Sequence, residues 1–326
     1  MVRLTPPGFR RLEQATQFDV HVGGGELNVA VGGARLGLSA RWISRLPDSP
    51  LGRLIAGRAA EQGVDVDYVT WTDQGRAGLY FAELGAAPRA SSVLYDRAGS
   101  AMSLLTPGVV DWPRAFEGAR WFHVSGITPA LSASAAAATA EALAAARAAG
   151  LTVSYDLNYR RKLWTPADAR AVQEPLMRHV DVLITTEEDT RLVFGVETPR
   201  TDTVDAASYE PVARSLQAQF GFKAVAVTLR DNPLVWRNTW SAFVVADGVR
   251  HDAPRYDVEI VDRIGAGDAF SAGFIYAATT GVGWAQAVRY GTAMSALKHG
   301  IPGDFAVVTR QEVEQVMAGG TLRVNR

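Results

Sequence analysis

The stretch VDRIGAGDAFSAGF (261–274) joins an apolar run to a helical pattern through two glycines and a single acid. Glycines at such a junction let the backbone approach a ligand closely, most often a phosphate. We expect a helix to begin at Ala266 or Gly267, so that its free backbone amides and the positive end of its dipole form an anion site. Asp268 then lies in the first helical turn, beside that site.

A carboxylate repels phosphate, so Asp268 is not expected to bind one. The helix dipole is expected to lower the proton affinity of Asp268 and keep it ionised near neutrality. An ionised carboxylate can take the proton from an alcohol that attacks phosphorus, while the amides of Gly265, Ala266 and Gly267 stabilise the transferred group. The pattern therefore indicates phosphoryl transfer to a hydroxyl group.

Two other interpretations of these glycines stay open at this point. A dinucleotide-binding GxGxxG fingerprint fails at its sixth position, Phe270, and the run comes late in the chain instead of in a first βαβ unit. A tight strand-to-helix turn without a ligand explains the glycines but leaves the acid unexplained.

The second half of the chain alternates strand and helix patterns. Short apolar strands are predicted at 119–127, 151–158, 180–186 and 223–229. Because helical segments separate them, they indicate a parallel sheet covered on both faces. A hairpin is predicted over 241–254, with Asp247-Gly248 as its turn.

The first hundred residues follow a different pattern. Helices are expected at 26–37 and 51–63, with a strand at 39–44 between them. Four segments alternate apolar and polar residues, which implies a sheet with one open face; they are 18–24, 66–72, 78–84 and 91–97. We expect a small β lid, from about 17–25 and 66–105, inserted in a single domain that spans residues 1–326. Its open face is expected to make a homodimer or a higher homo-oligomer.

Composition excludes several classes of function. The 326 residues carry a net charge of −1 with scattered basic residues, which argues against nucleic acid or an anionic membrane as the partner. The chain has no cysteine, which excludes disulfide and thiolate chemistry and favours a cytoplasmic location. No apolar run reaches the roughly 18 residues of a membrane span, and the five histidines lack metal-ligand spacing.

Two motifs together resemble those of one enzyme family. VDRIGAGDAF (261–270) resembles the C-terminal motif of the ribokinase-like (PfkB) carbohydrate kinases, and GGGELNVAVGGARLG (23–37) resembles their sugar-contacting glycine motif. Within that family the 2-keto-3-deoxygluconate kinases are most similar, through stretches such as HVSGITPALS (123–132), YDLNYRRKLW (155–164) and SALKHGIPGDF (295–305). The resemblance covers nearly the whole chain and implies an α/β fold, a ribokinase-like three-layer α/β/α sandwich with a small β-sheet lid.

The resemblance also implies roles for individual residues. Asp268 is the base that deprotonates the terminal sugar hydroxyl, and Gly265 to Gly267 supply the anion hole. The residues expected to bind the substrate are Gly24, Gly25 and Asn28 on its hydroxyls, Tyr80 and Tyr95 over the sugar, and Arg97 and Arg160 on its acidic end. Those expected to border the nucleotide are Thr228 and Arg230 at its phosphates and Lys298, Gly300 and Gly303 at its adenine. The implied cofactors are ATP and Mg²⁺, with no protein ligand assigned to the metal.

The chain departs from the family pattern at three places. Most of an apolar strand with a Gly-Glu pair, expected before RLTPPG (3–8) and inside the sheet, is absent. The stretch Thr186-Glu187-Glu188-Asp189 stands where relatives often have Asn-x-x-Glu, which puts metal handling in question. Arg263 stands where many relatives have threonine.

The resulting hypothesis is an ATP-dependent kinase that phosphorylates the 6-hydroxyl of 2-keto-3-deoxygluconate. The alternatives are a kinase of another sugar or sugar acid, such as fructose or ribose, and a weakly active sugar-binding regulatory protein. A nicotinamide-dependent dehydrogenase is disfavoured by the incomplete fingerprint.

Overall fold

A computed structural model describes residues 1–196 and 205–320 of the chain. The strands are β1 (Val2–Thr5), β2 (Asp19–Val22), β3 (Ser44–Pro47), β4 (Val69–Thr72), β5 (Leu79–Glu83), β6 (Ser92–Asp96), β7 (Trp121–Ser125), β8 (Thr152–Asp156), β9 (Val182–Thr186), β10 (Ala224–Leu234), β11 (Arg237–Ala246), β12 (Val249–Asp252) and β13 (Tyr256–Glu259). The α-helices are α1 (Gly25–Leu36), α2 (Pro50–Glu61), α3 (Trp112–Phe116), α4 (Ala133–Ala148), α5 (Pro166–Leu176), α6 (Glu187–Phe194), α7 (Ala206–Phe220), α8 (Ala266–Thr279), α9 (Trp284–His299) and α10 (Arg310–Met317).

The central sheet has the strand order β12-β11-β10-β9-β8-β7, and β13 also pairs with β11. Strands β7 to β10 are parallel, whereas β11 runs antiparallel to β10, β12 and β13. The four predicted apolar strands are β7 to β10, and helices connect them as expected. The predicted hairpin is also present, and both turn residues, Asp247 (φ 51°) and Gly248 (φ 74°), are left-handed as a tight hairpin turn requires.

Helices cover both faces of this sheet, as the alternating side chains of β10 show. Val225 and Val227 belong to a core shared with α4, α5, α6 and α7. Ala224 and Ala226 point the other way, into a core shared with α1, α8, α9 and α10. The fold is therefore the expected ribokinase-like three-layer α/β/α sandwich.

Side-chain caps fix where several helices begin. Ser132 accepts a hydrogen bond from Ala135 N (3.0 Å) at the start of α4, and Thr165 caps α5 ahead of Pro166. Such caps satisfy amides that have no partner within the helix, which explains why the alanine-rich α4 starts where it does.

The lid is a four-stranded sheet with the order β2-β1-β5-β6. The sequence patterns predicted β2, β5 and β6 as lid strands, but they did not predict β1. This short strand lies between β2 and β5, antiparallel to the former and parallel to the latter. β1 is therefore an interior strand of the lid.

Two strand predictions need correction. The segment 66–72 was expected in the lid, but β4 pairs with β3 in a separate two-stranded parallel sheet. The strand expected at 39–44 begins only at Ser44. Val69 lies in a core that contains Leu46 of β3 and Ile55 of α2, so the apolar face of 66–72 is covered although β4 is not a strand of the lid sheet.

Candidate active site

A cavity of about 1120 Å³ lies between the lid and the carboxyl ends of the central parallel strands. This is the edge at which open α/β sheets bind ligands. Its wall includes Asp156 from β8, Thr228 from β10 and lid residues from β5 and β6, together with the first residues of α1 and α8.

The glycine-rich junction at the start of α8 forms one wall of this cavity. The helix begins at Ala266, as predicted, and its N-cap Gly265 has a φ of 85°. A side chain at Gly265 would be strained by this conformation and would overlap the carbonyl oxygen of Asp304. At Gly267 no atom lies within 4 Å of where a Cβ would stand, so the backbone there is open to a ligand. The backbone amides at the start of α8 can therefore bind an anion by donating hydrogen bonds to it.

Asp268, in the first turn of α8, is joined directly to the start of α1. Asn28 Nδ2 donates to Asp268 Oδ2 at 2.6 Å, and Asn28 Oδ1 accepts from Gly24 N at 3.3 Å. A Cβ at Gly25 would stand 3.8 Å from the Asp268 carboxylate. The structure thus brings together the two glycine motifs, which are 240 residues apart in the sequence.

Burial determines the protonation of Asp268. It raises the pKa of Asp268 to about 6, against the opposing effects of the Asn28 hydrogen bond and the Arg160 charge. The expectation that the helix dipole lowers its proton affinity was wrong in direction, because desolvation of the carboxylate outweighs the dipole. The group is still mostly ionised at neutral pH and is poised to accept a proton.

Two further carboxylates lie in the same wall. Asp156 ends β8, and burial together with the nearby charges of Asp268 and Asp189 raises its pKa well above the usual range. Asp189 lies on α6, where its backbone N donates to the cap Thr186 at 3.1 Å, and burial raises its pKa to about 6. Sequence reasoning did not assign either residue to the site, although both lie in stretches that it singled out.

The carboxylate pair bears on the metal that the family pattern implies. Within residues 1–196 and 205–320, no three histidine, cysteine or acidic residues are grouped to hold a metal ion alone. Magnesium, however, usually takes only one or two carboxylates besides phosphate oxygens and water. Burial raises the pKa of both Asp156 and Asp189, and a divalent cation beside them would favour their ionised forms, so these residues fit Mg²⁺ bound with a nucleotide.

Two arginines line the cavity, Arg97 just after the lid strand β6 and Arg160 just after the central strand β8. The Arg97 guanidinium lies 4.2 Å from the Tyr95 ring, only 8% of the residue is exposed, and its Nη2 has no hydrogen-bond partner. Burial of Arg97 lowers its pKa, and the nearby positive charge of Arg160 lowers it further. A buried and a half-buried like charge with an unused donor can bind an anion, and the structure brings both arginines to the same cavity.

The two tyrosines assigned to the sugar also line the cavity. The rings of Tyr80 and Tyr95 are 5.7 Å apart on neighbouring lid strands. The Tyr80 hydroxyl donates to the carboxylate of Asp304. Tyr80 can therefore offer its ring to a sugar, while its hydroxyl already has a partner in the protein.

The residues assigned to the nucleotide divide into two groups. Thr228 and Arg230 line the cavity, and so does Arg263, whose pKa is lowered by burial and by the charge of Arg230. Arg263, which stands where many relatives have threonine, thus places a second cation near the anion site. By contrast, Lys298, Gly300 and Gly303 lie outside this lining. The assignment of the Lys298 side chain to adenine is corrected, because it is fully buried and its ammonium donates to backbone carbonyls.

The sequence matches the pfkB family of carbohydrate kinases over residues 3–304. The chain belongs to this family. Over 328 residues the kinase is 41% identical to 2-dehydro-3-deoxygalactonokinase from Haloferax volcanii, covering 100% of this chain and 96% of that protein. It is 31% identical over 313 residues to 2-dehydro-3-deoxygluconokinase from Bacillus subtilis, covering 94% and 90%. The crystal structure of 2-dehydro-3-deoxygluconokinase from Thermotoga maritima is similar to the kinase with a TM-score of 0.94 and 42% identity, covering 98% of this chain and 96% of that one.

The kinase has no helix, in the part of the chain that the structure describes, with the length and apolarity needed to cross a membrane. The cytoplasmic location expected from the absence of cysteines stays a prediction.

Proposed function

We propose that this kinase transfers the γ-phosphoryl group of ATP to the 6-hydroxyl of 2-keto-3-deoxygluconate, giving 2-keto-3-deoxy-6-phosphogluconate. The observation that carries the proposal is the buried Arg97 guanidinium, with its unpaired Nη2, beside Arg160 in the cavity that also contains Asp268. A neutral sugar does not call for two neighbouring cations, whereas a carboxylate complements them. The relatives named above act on 2-dehydro-3-deoxy sugar acids by their names, which supports an acidic substrate.

In this proposal the two ends of the sugar acid are held by opposite walls of the cavity. Arg97 and Arg160 bind the carboxylate, and the rings of Tyr80 and Tyr95 cover the carbon chain. Gly24, Gly25 and Asn28 hold the hydroxyls at the start of α1. The terminal hydroxyl then reaches Asp268, which accepts its proton as the oxygen attacks the phosphorus. Holding both reactants in this way is expected to supply much of the rate acceleration.

The phosphoryl group is stabilised at the start of α8. The amides of Gly265, Ala266 and Gly267 face the transferred group, and Arg230, Arg263 and Thr228 contact the remaining phosphates. Asp156 and Asp189 would hold Mg²⁺ directly or through its waters. When bound, the ion neutralises phosphate charge.

The product tests this proposal directly. The kinase is incubated with ATP, Mg²⁺ and 2-keto-3-deoxygluconate, and the phosphorylated carbon is identified by ¹H–³¹P correlation NMR. We expect a single phosphate ester at C6. The C4 epimer 2-keto-3-deoxygalactonate is run in parallel, and a higher kcat/KM for the epimer would reassign the preferred substrate within the same class. A phosphate ester at any other carbon of the sugar acid would contradict the placement of Asp268 beside the terminal hydroxyl.

We further propose that two copies of the kinase associate through the outer face of the lid. Val20 on β2 and Leu94 on β6 are 54% and 57% exposed, which is unusual for apolar residues of a sheet. Sedimentation velocity is expected to show a dimer that Leu94→Glu dissociates. A wild-type monomer at micromolar concentration would contradict this proposal.

A further inference from the structure

Arg45, on β3, carries a buried positive charge that the mechanism above does not use. The residue is only 9% exposed. Within residues 1–196 and 205–320, all four hydrogen bonds that its guanidinium donates go to neutral oxygen atoms. Arginine is seldom buried without partners for its charge, so the position of these oxygens explains why this one is tolerated.

The four acceptors lie on the two connections that lead into and out of the lid strands β5 and β6. Arg45 Nη2 donates to Thr72 Oγ1 (3.0 Å) and Gln74 Oε1 (3.3 Å), where the chain leaves β4 for β5. Arg45 Nη1 donates to the carbonyl oxygens of Leu104 (2.7 Å) and Ala101 (3.4 Å), where the chain has left β6. Because β3 is not a strand of the lid sheet, one planar guanidinium ties both connections to a segment outside the lid.

The two connections also pack against each other, next to Arg97. Ala101 N donates to the carbonyl oxygen of Arg76 at 2.9 Å. A Cβ at Gly75 would stand 2.9 Å from Ala101 N, so glycine is needed for this close approach. Arg97 begins the turn that leads into the held segment, since its carbonyl oxygen accepts from Ser100 N at 3.2 Å. The backbone of Arg97 is therefore positioned by the segment that Arg45 holds.

We propose that Arg45 is a positioning residue for substrate recognition, which holds the Arg97 guanidinium at the carboxylate of the substrate by fixing both connections of the lid. Arg45 does not touch the substrate, because each of its two terminal nitrogens already has two acceptors for its two hydrogens. The inference rests on the proposed function, in which Arg97 binds the carboxylate of the sugar acid. It implies that the kinase discriminates acidic from neutral substrates partly through a residue outside the binding site.

The test measures kcat/KM of Arg45→Met for 2-keto-3-deoxygluconate and for its uncharged primary amide. A displaced Arg97 loses its charge-assisted hydrogen bond, so we expect a loss of about tenfold or more for the acid. The loss for the amide should be smaller, so that the ratio of the two kcat/KM values falls by roughly fivefold. Equal losses for acid and amide would overturn the proposal, because a general loss of stability does not depend on the charge of the substrate.

Arg41→Met is the matched control. Arg41 Nη1 donates to the carbonyl oxygens of Ala115 (3.1 Å) and Glu117 (2.6 Å), in a segment to which no substrate contact is assigned. This variant should therefore keep the wild-type ratio of acid to amide. A fall in the ratio as large as that of Arg45→Met would overturn the proposal, since any arginine that holds a loop would then have the same effect.

A double-mutant cycle separates positioning from direct binding. Once Arg97 is methionine, adding Arg45→Met should lower kcat/KM for the acid by no more than roughly twofold, because the guanidinium that it positions is gone. Losses that multiply would overturn the proposal, since they would show that the two arginines act independently.

A milder variant keeps the test decisive if Arg45→Met does not fold. Thr72→Val removes one acceptor of Arg45, keeps the shape of the side chain and leaves both arginines in place. The ratio of acid to amide should again fall, and a folded Thr72→Val with the wild-type ratio would overturn the proposal. A wild-type kinase that does not distinguish the acid from the amide would instead overturn the proposed function.

Discussion

Replacing Arg97 by methionine tests how the kinase recognises an acidic sugar. The substitution removes the guanidinium but keeps an unbranched side chain against the Tyr95 ring. A hydrogen bond to a charged group contributes about 1.5–3 kcal/mol, which corresponds to roughly a 10- to 150-fold loss in kcat/KM. We expect the upper part of this range, because Arg97 is buried and already largely desolvated before the substrate binds.

The assay compares 2-keto-3-deoxygluconate with its primary amide, which has the same shape but no charge. Arg97→Met should lower kcat/KM for the acid by the full amount and for the amide by no more than about tenfold, since a neutral hydrogen bond contributes only about 0.5–1.5 kcal/mol. Arg53→Met serves as the control, because Arg53 is exposed and pairs only with Asp48 among the described residues. Equal losses for acid and amide would refute the carboxylate site, even if the loss itself were large.

Other predictions follow from the same geometry. Asp268→Asn should lower kcat by about 10²–10⁴-fold while calorimetry shows nearly unchanged sugar binding, and near-wild-type turnover would remove the base assignment. The kcat/KM of the wild type should fall as the pH drops through about 6, since the protonated Asp268 accepts no proton. Asn28→Ala should move this fall in kcat/KM to higher pH, because the hydrogen bond that it removes stabilised the Asp268 carboxylate. If the pH of the fall did not change, another group would be responsible for it. Arg3→Met should lower the free energy of unfolding in urea by about 3–5 kcal/mol, because the buried carboxylates of Asp262 and Asp304 lose their guanidinium partner. The exposed pair broken by Arg53→Met should lose at most about 1 kcal/mol, and similar losses for both would argue against a buried ion pair.

The start of α8 could be predicted from sequence because its determinants are local. The two glycines, the acid and the helical pattern that follows specify a strand-to-helix junction, and the structure has it at the predicted residue. The central strands could also be predicted from the sequence, since a strand buried on both faces is apolar throughout. Alternation at 66–72 was less informative, because it shows that one face is covered but not which element covers it.

The properties that sequence did not predict depend on contacts between distant segments. The pKa of Asp268 follows from burial by the whole cavity wall, which no local pattern describes. Lys298 stands in the last turn of a helix, where lysines usually point to solvent, and only the loop at 262 shows why this one does not. The buried ion pair of Arg3 with Asp304 joins residues 301 positions apart.

The central claim is that the cavity recognises a carboxylate at one end of the sugar and phosphorylates the other end. The most direct measurement is the ratio of kcat/KM values for 2-keto-3-deoxygluconate and fructose, taken by ADP release at the same ATP and Mg²⁺ concentrations. Two charge-assisted hydrogen bonds predict a preference for the acid of roughly 100-fold or more. A ratio near one, or a preference for fructose, would contradict the account.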